Sequence, residues 1–288
     1  NDKSELAAEQ LFASLHGILR DASELKISKE VQEHLSFEIA SVNGQIRFYT
    51  WVPKALRSFV EGQIYSQYPS VQIYEADEDY VKHEREHSVS YCAEIVLTDD
   101  EALPIKTFQN FEVDPLAGIT GALAKLESTN EEVWIQILTR PIADVWHWSS
   151  ENWVKTTKNG KSSLFSGFNL ESFGKILAAL WQPPEESKSA AAAVKELSER
   201  DRTRISEVEA KATKLGYQVK IRIVYVGGST VNARLRMQAI VGTFKQFNST
   251  NLNGFKIAGA SFKKEDLLEY ANRSFKDSGF VLNIAELA

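Results

Sequence analysis

Apolar residues along this chain alternate between two spacings, the period of two that is typical of strands and the period of about 3.6 that is typical of helices. Residues 46–52 have strand character, a helical pattern follows up to Pro69, and residues 71–75 again read as a strand. A second strand–helix–strand unit covers residues 91–138. Two successive units of this length predict a ferredoxin-like α+β sandwich, an antiparallel sheet with two helices on one face.

The same layout returns near the end of the chain, with a strand at 219–226, a helix that contains Val231 and Leu235, and a strand at 255–257. We therefore predict an α+β fold of two ferredoxin-like βαβ-based lobes with antiparallel sheets, plus an N-terminal helix and a long connecting helix. The predicted domains are an N-terminal helical segment (1–34), a first lobe (35–145), a Trp-rich loop and helical linker (146–216) and a second lobe (217–288).

Two local signals fix details of this layout. Asn43-Gly44 lies between two strand patterns and predicts a tight hairpin turn. Asp114 is followed by Pro115, the pair expected at the cap and first position of a helix.

Charge and composition remove several function classes. The 288 residues have a net charge of −6, which gives the whole chain no general attraction to nucleic acid or anionic lipid. The single cysteine, Cys92, excludes a disulfide framework and a multi-cysteine zinc site, and it fits a reducing compartment. The chain starts at Asn1 without a signal peptide and ends inside an apolar segment at Ala288. We therefore expect a cytoplasmic piece of a longer protein, with membrane contact made only by segments outside it.

One string matches a metal-site pattern. His83-Glu84-Arg85-Glu86-His87 satisfies H-E-x-x-H, in which two histidines on one helix face bind zinc and the glutamate is the general base. The flanks are polar and the extended third-ligand pattern is missing, so a charged connection between two βαβ units explains the same residues. A zinc-dependent metallopeptidase, with His83 and His87 as ligands and Glu84 as base, remains an alternative function.

Nucleotide and nucleophile motifs are missing from the sequence. The turn at 227–230 follows a strand and opens a helix, so its amides could meet an anion, but neither G-x-x-x-x-G-K-[ST] nor G-x-G-x-x-G occurs. No G-x-S-x-G nucleophile elbow occurs either. We therefore predict no catalytic residue and no cofactor for this chain.

Basic residues on the strand–helix–strand unit at 219–257 support a second alternative, a single-stranded nucleic-acid-binding module. Ferredoxin-like sheets can bind single strands by aromatic stacking. An ordinary solvated face explains the same residues. The candidates are Arg222, Arg234, Arg236, Lys245 and Lys256.

Three tryptophans crowd into the polar stretch 143–165, which we interpret as a domain boundary or docking loop. Trp146, Trp148 and Trp153 are candidates for an interface with a partner protein. Packing between the two lobes is the alternative role for them.

Several longer strings point to a family. They are EQLFASLHGI (9–18), FYTWVP (48–53), FVEGQIY (59–65) with YP (68–69), LPIKTF (103–108), FEVDPL (111–116), FKQFN (244–248) and LNIAELA (282–288). Together they resemble the N-terminal, pre-ATPase region of large bacterial proteins similar to type IV secretion or conjugation motor ATPases, a poorly characterised family. The H-E-x-x-H string matches none of these family strings.

The resemblance implies a region that follows membrane-spanning segments and precedes a RecA-like ATPase bearing the phosphate loop. It therefore implies a non-catalytic, membrane-proximal assembly or docking domain at the inner face of the bacterial membrane. Its implied partners are other copies of the protein or components of a secretion channel.

Overall fold

The computed structural model describes residues 2–82, 85, 88–126, 130–159, 197–276 and 279–288. In these residues the chain is an α+β protein built on one antiparallel sheet of seven strands. The strands are Leu35–Val42 (β1), Gln45–Trp51 (β2), Val89–Leu97 (β3), Glu132–Pro141 (β4), Gly216–Gly227 (β5), Phe255–Ser261 (β6) and Phe280–Asn283 (β7). The predicted α+β class and the antiparallel pairing are confirmed, and the ferredoxin-like lobes stay a prediction.

Nine α-helices accompany the sheet within the described residues. They are Asp2–Leu15 (α1), Ala22–Ser28 (α2), Arg57–Gln67 (α3), Pro115–Ala124 (α4), His147–Lys158 (α5), Glu199–Lys211 (α6), Thr230–Phe244 (α7), Lys264–Ala271 (α8) and Ile284–Leu287 (α9). Helix α6 lies in the region of the predicted connecting helix and begins after Ser198, which caps it. The expected helix at 170–181 lies outside the described residues. None of the helices in the described ranges is long and apolar enough to cross a membrane.

The strand order is β2-β1-β4-β5-β3-β6, and β7 pairs with the beginning of β5. Strand β5 comes from the predicted second lobe but lies between β3 and β4 of the predicted first lobe. Where the sequence led us to expect one sheet for each lobe, the structure has a single shared sheet. The two predicted lobes share one sheet because β5 pairs with β4 along one edge and with β3 and β7 along the other. The domain boundaries stay a prediction.

Strand β5 is buried on both faces of the sheet, which explains its nearly continuous apolar sequence. Ile221 and Ile223 point to the face that α4 and α7 cover. Val224 and Val226 point to the opposite face, where Tyr270 of α8 packs. The sheet is therefore the middle layer between two hydrophobic cores.

Local turn and cap signals are confirmed where the structure describes them. Asn43 and Gly44 join β1 to β2 with φ angles of 52° and 73°, the left-handed conformation that a tight hairpin turn requires. Asp114 caps α4 by accepting a hydrogen bond from the Leu116 amide at 2.8 Å, with Pro115 at the first turn.

Two element predictions were wrong. Residues 71–75 are not a strand, because this largely exposed segment pairs with no strand of the sheet, and the Tyr74 side chain is 78% exposed. The first expected βαβ unit therefore lacks its second strand. The predicted loop at 143–165 includes helix α5, and its residues beyond Asn159 lie outside the described part of the chain.

Candidate protein-docking surface

The predicted zinc-site residues His83, Glu84, Glu86 and His87 lie outside the described residues. Arg85 is described. Its guanidinium donates to both carboxylate oxygens of Glu132, at 2.9 and 2.6 Å, and lies 4.8 Å from the ring centre of Trp134. Within the described ranges there is no group of three or more His, Cys, Asp or Glu that could hold a metal ion.

The three candidate interface tryptophans do not lie on one surface. Trp146 is buried, and its indole lies so close to Gly216 that a Cβ at that glycine would collide with it. Trp153 packs with the small core between α5 and α6, with the guanidinium of Arg204 5.2 Å from its ring centre. Trp148 is 68% exposed. Packing therefore accounts for Trp146 and Trp153, and Trp148 alone keeps the accessibility that an interface anchor needs.

The candidate nucleic-acid residues are divided between the two faces of the sheet. Arg222 is buried on the α8 side, where it donates to the carbonyl oxygens of Glu269 and Ser274 at 3.1 and 2.6 Å. Arg234 and Arg236 belong to α7 on the other face, and Arg236 donates to Glu131 at 3.3 Å. Lys245 follows α7 and Lys256 lies on the edge strand β6, both exposed. The structure therefore does not bring the five residues together as one basic surface.

A buried polar cluster joins β1 to the α8 side of the sheet. Glu38 accepts hydrogen bonds from the Tyr80 hydroxyl at 2.8 Å and from Arg273 Nε and Nη2 at 3.0 and 3.1 Å. Ser36 and Gln136 donate to the same carboxylate at 2.7 and 3.0 Å. The Glu38 side chain is fully buried, so this cluster fixes the α8 side of the core and offers no site to a substrate.

The two tyrosines beside Glu38 are held in their protonated form. Burial, together with the neighbouring Glu38 carboxylate, raises the pKa of Tyr80 and of Tyr270 well above the ordinary value. Their hydroxyl oxygens are 2.9 Å apart. Both phenols are therefore neutral hydrogen-bonding groups at physiological pH, and neither is a phenolate base.

A cleft of about 400 Å³ opens on this face between β3, β6 and α8. Its wall contains Cys92, but burial raises the pKa of that thiol to about 12, so it is protonated and a poor nucleophile at neutral pH. Its carboxylates have protein partners: Glu94 pairs with Lys220 at 3.0 Å, and Glu269 pairs with Lys276 at 2.6 Å. The cleft therefore carries no activated nucleophile among its described groups.

Helix α7 leaves apolar side chains uncovered on the opposite side of the sheet. Its inner face packs Ala233, Met237 and Ile240 into the core, whereas Val231 and Leu235 on its outer face are 65% and 60% exposed. A helix that buries one face normally shows polar residues on the other. The outer face of α7 therefore presents two large aliphatic side chains to the surface of the described part of the chain.

An aromatic residue extends this surface beyond the helix. The guanidinium of Arg234, between Val231 and Leu235 on the outer face, lies 5.8 Å from the ring centre of Phe262. Phe262 is 39% exposed and stacks on Tyr91 with ring centres 4.3 Å apart. We call Val231, Arg234, Leu235 and Phe262 the α7 patch.

Helix α4 packs beside α7 and also has an apolar outer face. The Gln246 amide just after α7 donates to the Pro115 carbonyl at 3.0 Å and links the two helices. Ile119 and Leu123 are buried, while the outer residues are apolar or small and are exposed; these are Leu116, Ala117, Gly121 and Ala124, which we call the α4 face. The ten residues of α4 include no charged side chain.

Sequence reasoning found both helices but not these surfaces. Val231 and Leu235 were assigned to α7 without a distinction between its faces, although they lie on a different side of it from Met237 and Ile240. The signal that could have separated them is helical phase, since a residue at 231 shares its face with 234 and 235 but not with 233 and 237. For α4 the signal was the lack of any charge on a helix that is not wholly buried.

A family model described as "Domain of unknown function (DUF8128)" matches residues 1–288, the whole chain. No curated protein and no solved structure matches the sequence.

Proposed function

We propose that this chain, which belongs to the DUF8128 family along its whole length, is a non-catalytic assembly or docking domain. The proposal places it beside the inner face of a bacterial membrane, as a cytoplasmic part of a motor ATPase similar to those of type IV secretion or conjugation. In this proposal the nucleotide chemistry belongs to a neighbouring region of the same protein.

The observation that carries the docking role is the α7 patch. Scattered apolar side chains are normal on protein surfaces, but several large ones next to one another mark contacts with other molecules. Val231 and Leu235 are one helical turn apart, and the guanidinium of Arg234 beside them lies 5.8 Å from the ring centre of Phe262. Aromatic residues and arginine are enriched at protein interfaces relative to the rest of the surface, and the patch has one of each beside its aliphatic side chains.

The composition of the patch indicates what kind of partner fits it. Its aliphatic and aromatic side chains need an apolar surface on the partner, and Arg234 brings one positive charge to a chain whose net charge is −6. A partner that offers an apolar groove with a carboxylate at its edge satisfies both requirements. Components of a secretion channel are the partners that the sequence resemblance favours.

The first experiment tests the patch in cells. A photo-crosslinking amino acid at Leu235, in the full-length protein, is expected to capture a secretion-channel component. The control position is Tyr74, which is 78% exposed and lies in the segment after α3, outside the patch. Capture at Leu235 that Phe262→Asp abolishes, with no capture at Tyr74, would support the proposal. Equal capture at both positions, or at neither, would contradict it.

The second experiment tests the assignment to a motor protein. The coding sequence that continues after Ala288 is expected to encode a RecA-like region with the G-x-x-x-x-G-K-[ST] string. A gene in which no such string follows would overturn the motor assignment, and the crosslinking result would then stand by itself as evidence of docking.

A further inference from the structure

We infer that two copies of this chain pair through helix α4, with the two helices antiparallel across a two-fold axis. This inference rests on the proposed assembly function, because it names the partner for one of the two helical faces that the described residues leave exposed. The α7 patch is left for a different protein, so the two surfaces have separate tests.

The α4 face is suited to close contact with another helix. Ala117, Gly121 and Ala124 are at its centre, and a Cβ added at Gly121 would meet no atom within 4 Å. Leu116, 42% exposed, flanks these small residues, and Val113 just before the helix is 72% exposed. Small residues let two helix backbones approach closely, and the larger side chains at the margin then bury apolar area.

Charges at the two ends of the helix select the antiparallel arrangement. Asp114 precedes α4, Lys125 follows it, and both are exposed. They are eleven positions apart, which is about three helical turns or roughly 16 Å, so they lie on nearly the same side of the helix. In an antiparallel pair centred between them, Asp114 of each copy approaches Lys125 of the other.

This symmetry explains why the partner is a second copy. An isologous interface brings the same surface to both sides, so a charged surface would repel itself unless its charges were arranged to alternate. The α4 face has no charge at its centre, an acid at one end and a base at the other. The N-cap hydrogen bond from the Leu116 amide accounts for the presence of Asp114 but not for the exposed apolar residues between it and Lys125 that no described element covers.

The main experiment measures self-association of the 288-residue chain by sedimentation over a concentration series. Gly121→Arg places a charge at the centre of the proposed interface, and it should weaken dimerisation on the order of a hundredfold, because like charges meet across the axis. The matched control is Gly62→Arg in α3. Gly62 is also an exposed helical glycine whose added Cβ would meet no atom within 4 Å, so both variants make the same change to a helix.

A crosslinking experiment tests the geometry. Residue 121 lies near the proposed two-fold axis, so Gly121→Cys should form a disulfide-linked dimer under mild oxidation and Gly62→Cys should not. The native Cys92 is buried and its thiol pKa is raised to about 12, so it does not compete in this reaction.

The outcomes separate this inference from the proposed function. Concentration-dependent dimers that Gly121→Arg abolishes and Gly62→Arg preserves support it. A chain that stays monomeric throughout, or dimers that both variants leave intact, overturns it while leaving the Leu235 capture experiment unaffected. A monomer that loses capture of another protein on Gly121→Arg also overturns it and assigns the α4 face to that protein.

Discussion

Lys211 and Glu286 form an ion pair in which both side chains are completely buried, with Nζ and Oε2 3.1 Å apart. Lys211 also donates to the carbonyl oxygens of Glu101 and Val281 at 2.7 and 3.1 Å. Glu286 accepts a hydrogen bond from the Ile105 amide at 2.9 Å. The pair therefore ties α6, the segment after β3 and the C-terminal α9 into one unit.

Removing one partner of this pair should be strongly destabilising. Lys211→Met leaves the Glu286 carboxylate charged in the core without its counter-ion, and breaking a buried pair in this way costs about 3–5 kcal/mol. We expect the free energy of unfolding, measured in a urea titration, to fall by that amount.

The double variant Lys211→Met with Glu286→Gln should lose less than the sum of the two single changes, because no uncompensated charge remains. Lys155→Met is the control, since Lys155 and Glu151 form an ion pair whose side chains are 66% and 64% exposed. It should cost less than about 1 kcal/mol. Equal losses for the Lys211 and Lys155 variants would show that the buried pair does not hold these elements together.

Gly216 and Gly259 should respond in opposite ways to the same substitution. A Cβ at Gly216 would collide with the Trp146 indole, so Gly216→Ala forces this buried ring to move, at a cost of about 1–3 kcal/mol. A Cβ at Gly259 on β6 meets no atom within 4 Å. Gly259→Ala should therefore leave the thermal midpoint unchanged or raise it slightly, because alanine restricts the unfolded chain. A Gly216 variant as stable as the Gly259 variant would argue against the packing role of Trp146.

Local signals made part of this fold predictable from the sequence. The Asn43-Gly44 turn depends on two adjacent residues, and the cap of α4 depends on Asp114 and its immediate neighbours. Both predictions were right because the interacting groups are close in sequence. By contrast, residues 71–75 have the same alternating pattern as a true strand, and a pattern does not show whether a sheet edge is available to pair with it.

The shared sheet and the docking surfaces depend on contacts between distant residues. Strand β5 lies between β3 and β4, although 74 residues of the chain lie between the end of β4 and the start of β5. Arg273 bonds to Glu38 across 235 positions, and Trp146 meets Gly216 across 70. Such pairings depend on which strand edges and which spaces in the core are still unfilled after the other elements have packed. Only the packed structure therefore showed that Trp146 is a core residue and that Leu235 is not.

Acidification should destabilise the protein partly through His34. Burial lowers the pKa of this imidazole below its ordinary value of 6.5, and nearby Arg140 and Arg222 lower it further, while a hydrogen bond to the Arg273 carbonyl at 2.8 Å opposes them. The unfolded chain therefore takes up this proton more readily than the folded chain. The stabilising effect of neutral His34 is complete above pH 6.5 and is lost as the pH falls from there through the lowered pKa.

The corresponding measurement is the free energy of unfolding in urea at a series of pH values from about 7.5 to 5. His34→Gln keeps an amide donor for the Arg273 carbonyl but does not titrate. The wild-type protein should lose stability more steeply than this variant, by at most about 1.4 kcal/mol per pH unit, the limit for one proton. Parallel curves would show that His34 does not cause the acid sensitivity.

Zinc binding by the H-E-x-x-H string is the property that best distinguishes a hydrolase from a docking domain. Protein purified without chelators should contain no near-stoichiometric zinc, because the residues around His83 and His87 are polar and a zinc-site helix needs a buried apolar face. Adding a chelator should then leave the thermal midpoint unchanged, since a structural or catalytic zinc would contribute binding energy to the folded state. The double variant His83→Ala with His87→Ala is the control. Zinc at one equivalent in the wild-type protein and its absence from this variant would support the metallopeptidase hypothesis. The next measurement would then be peptide hydrolysis and its dependence on Glu84.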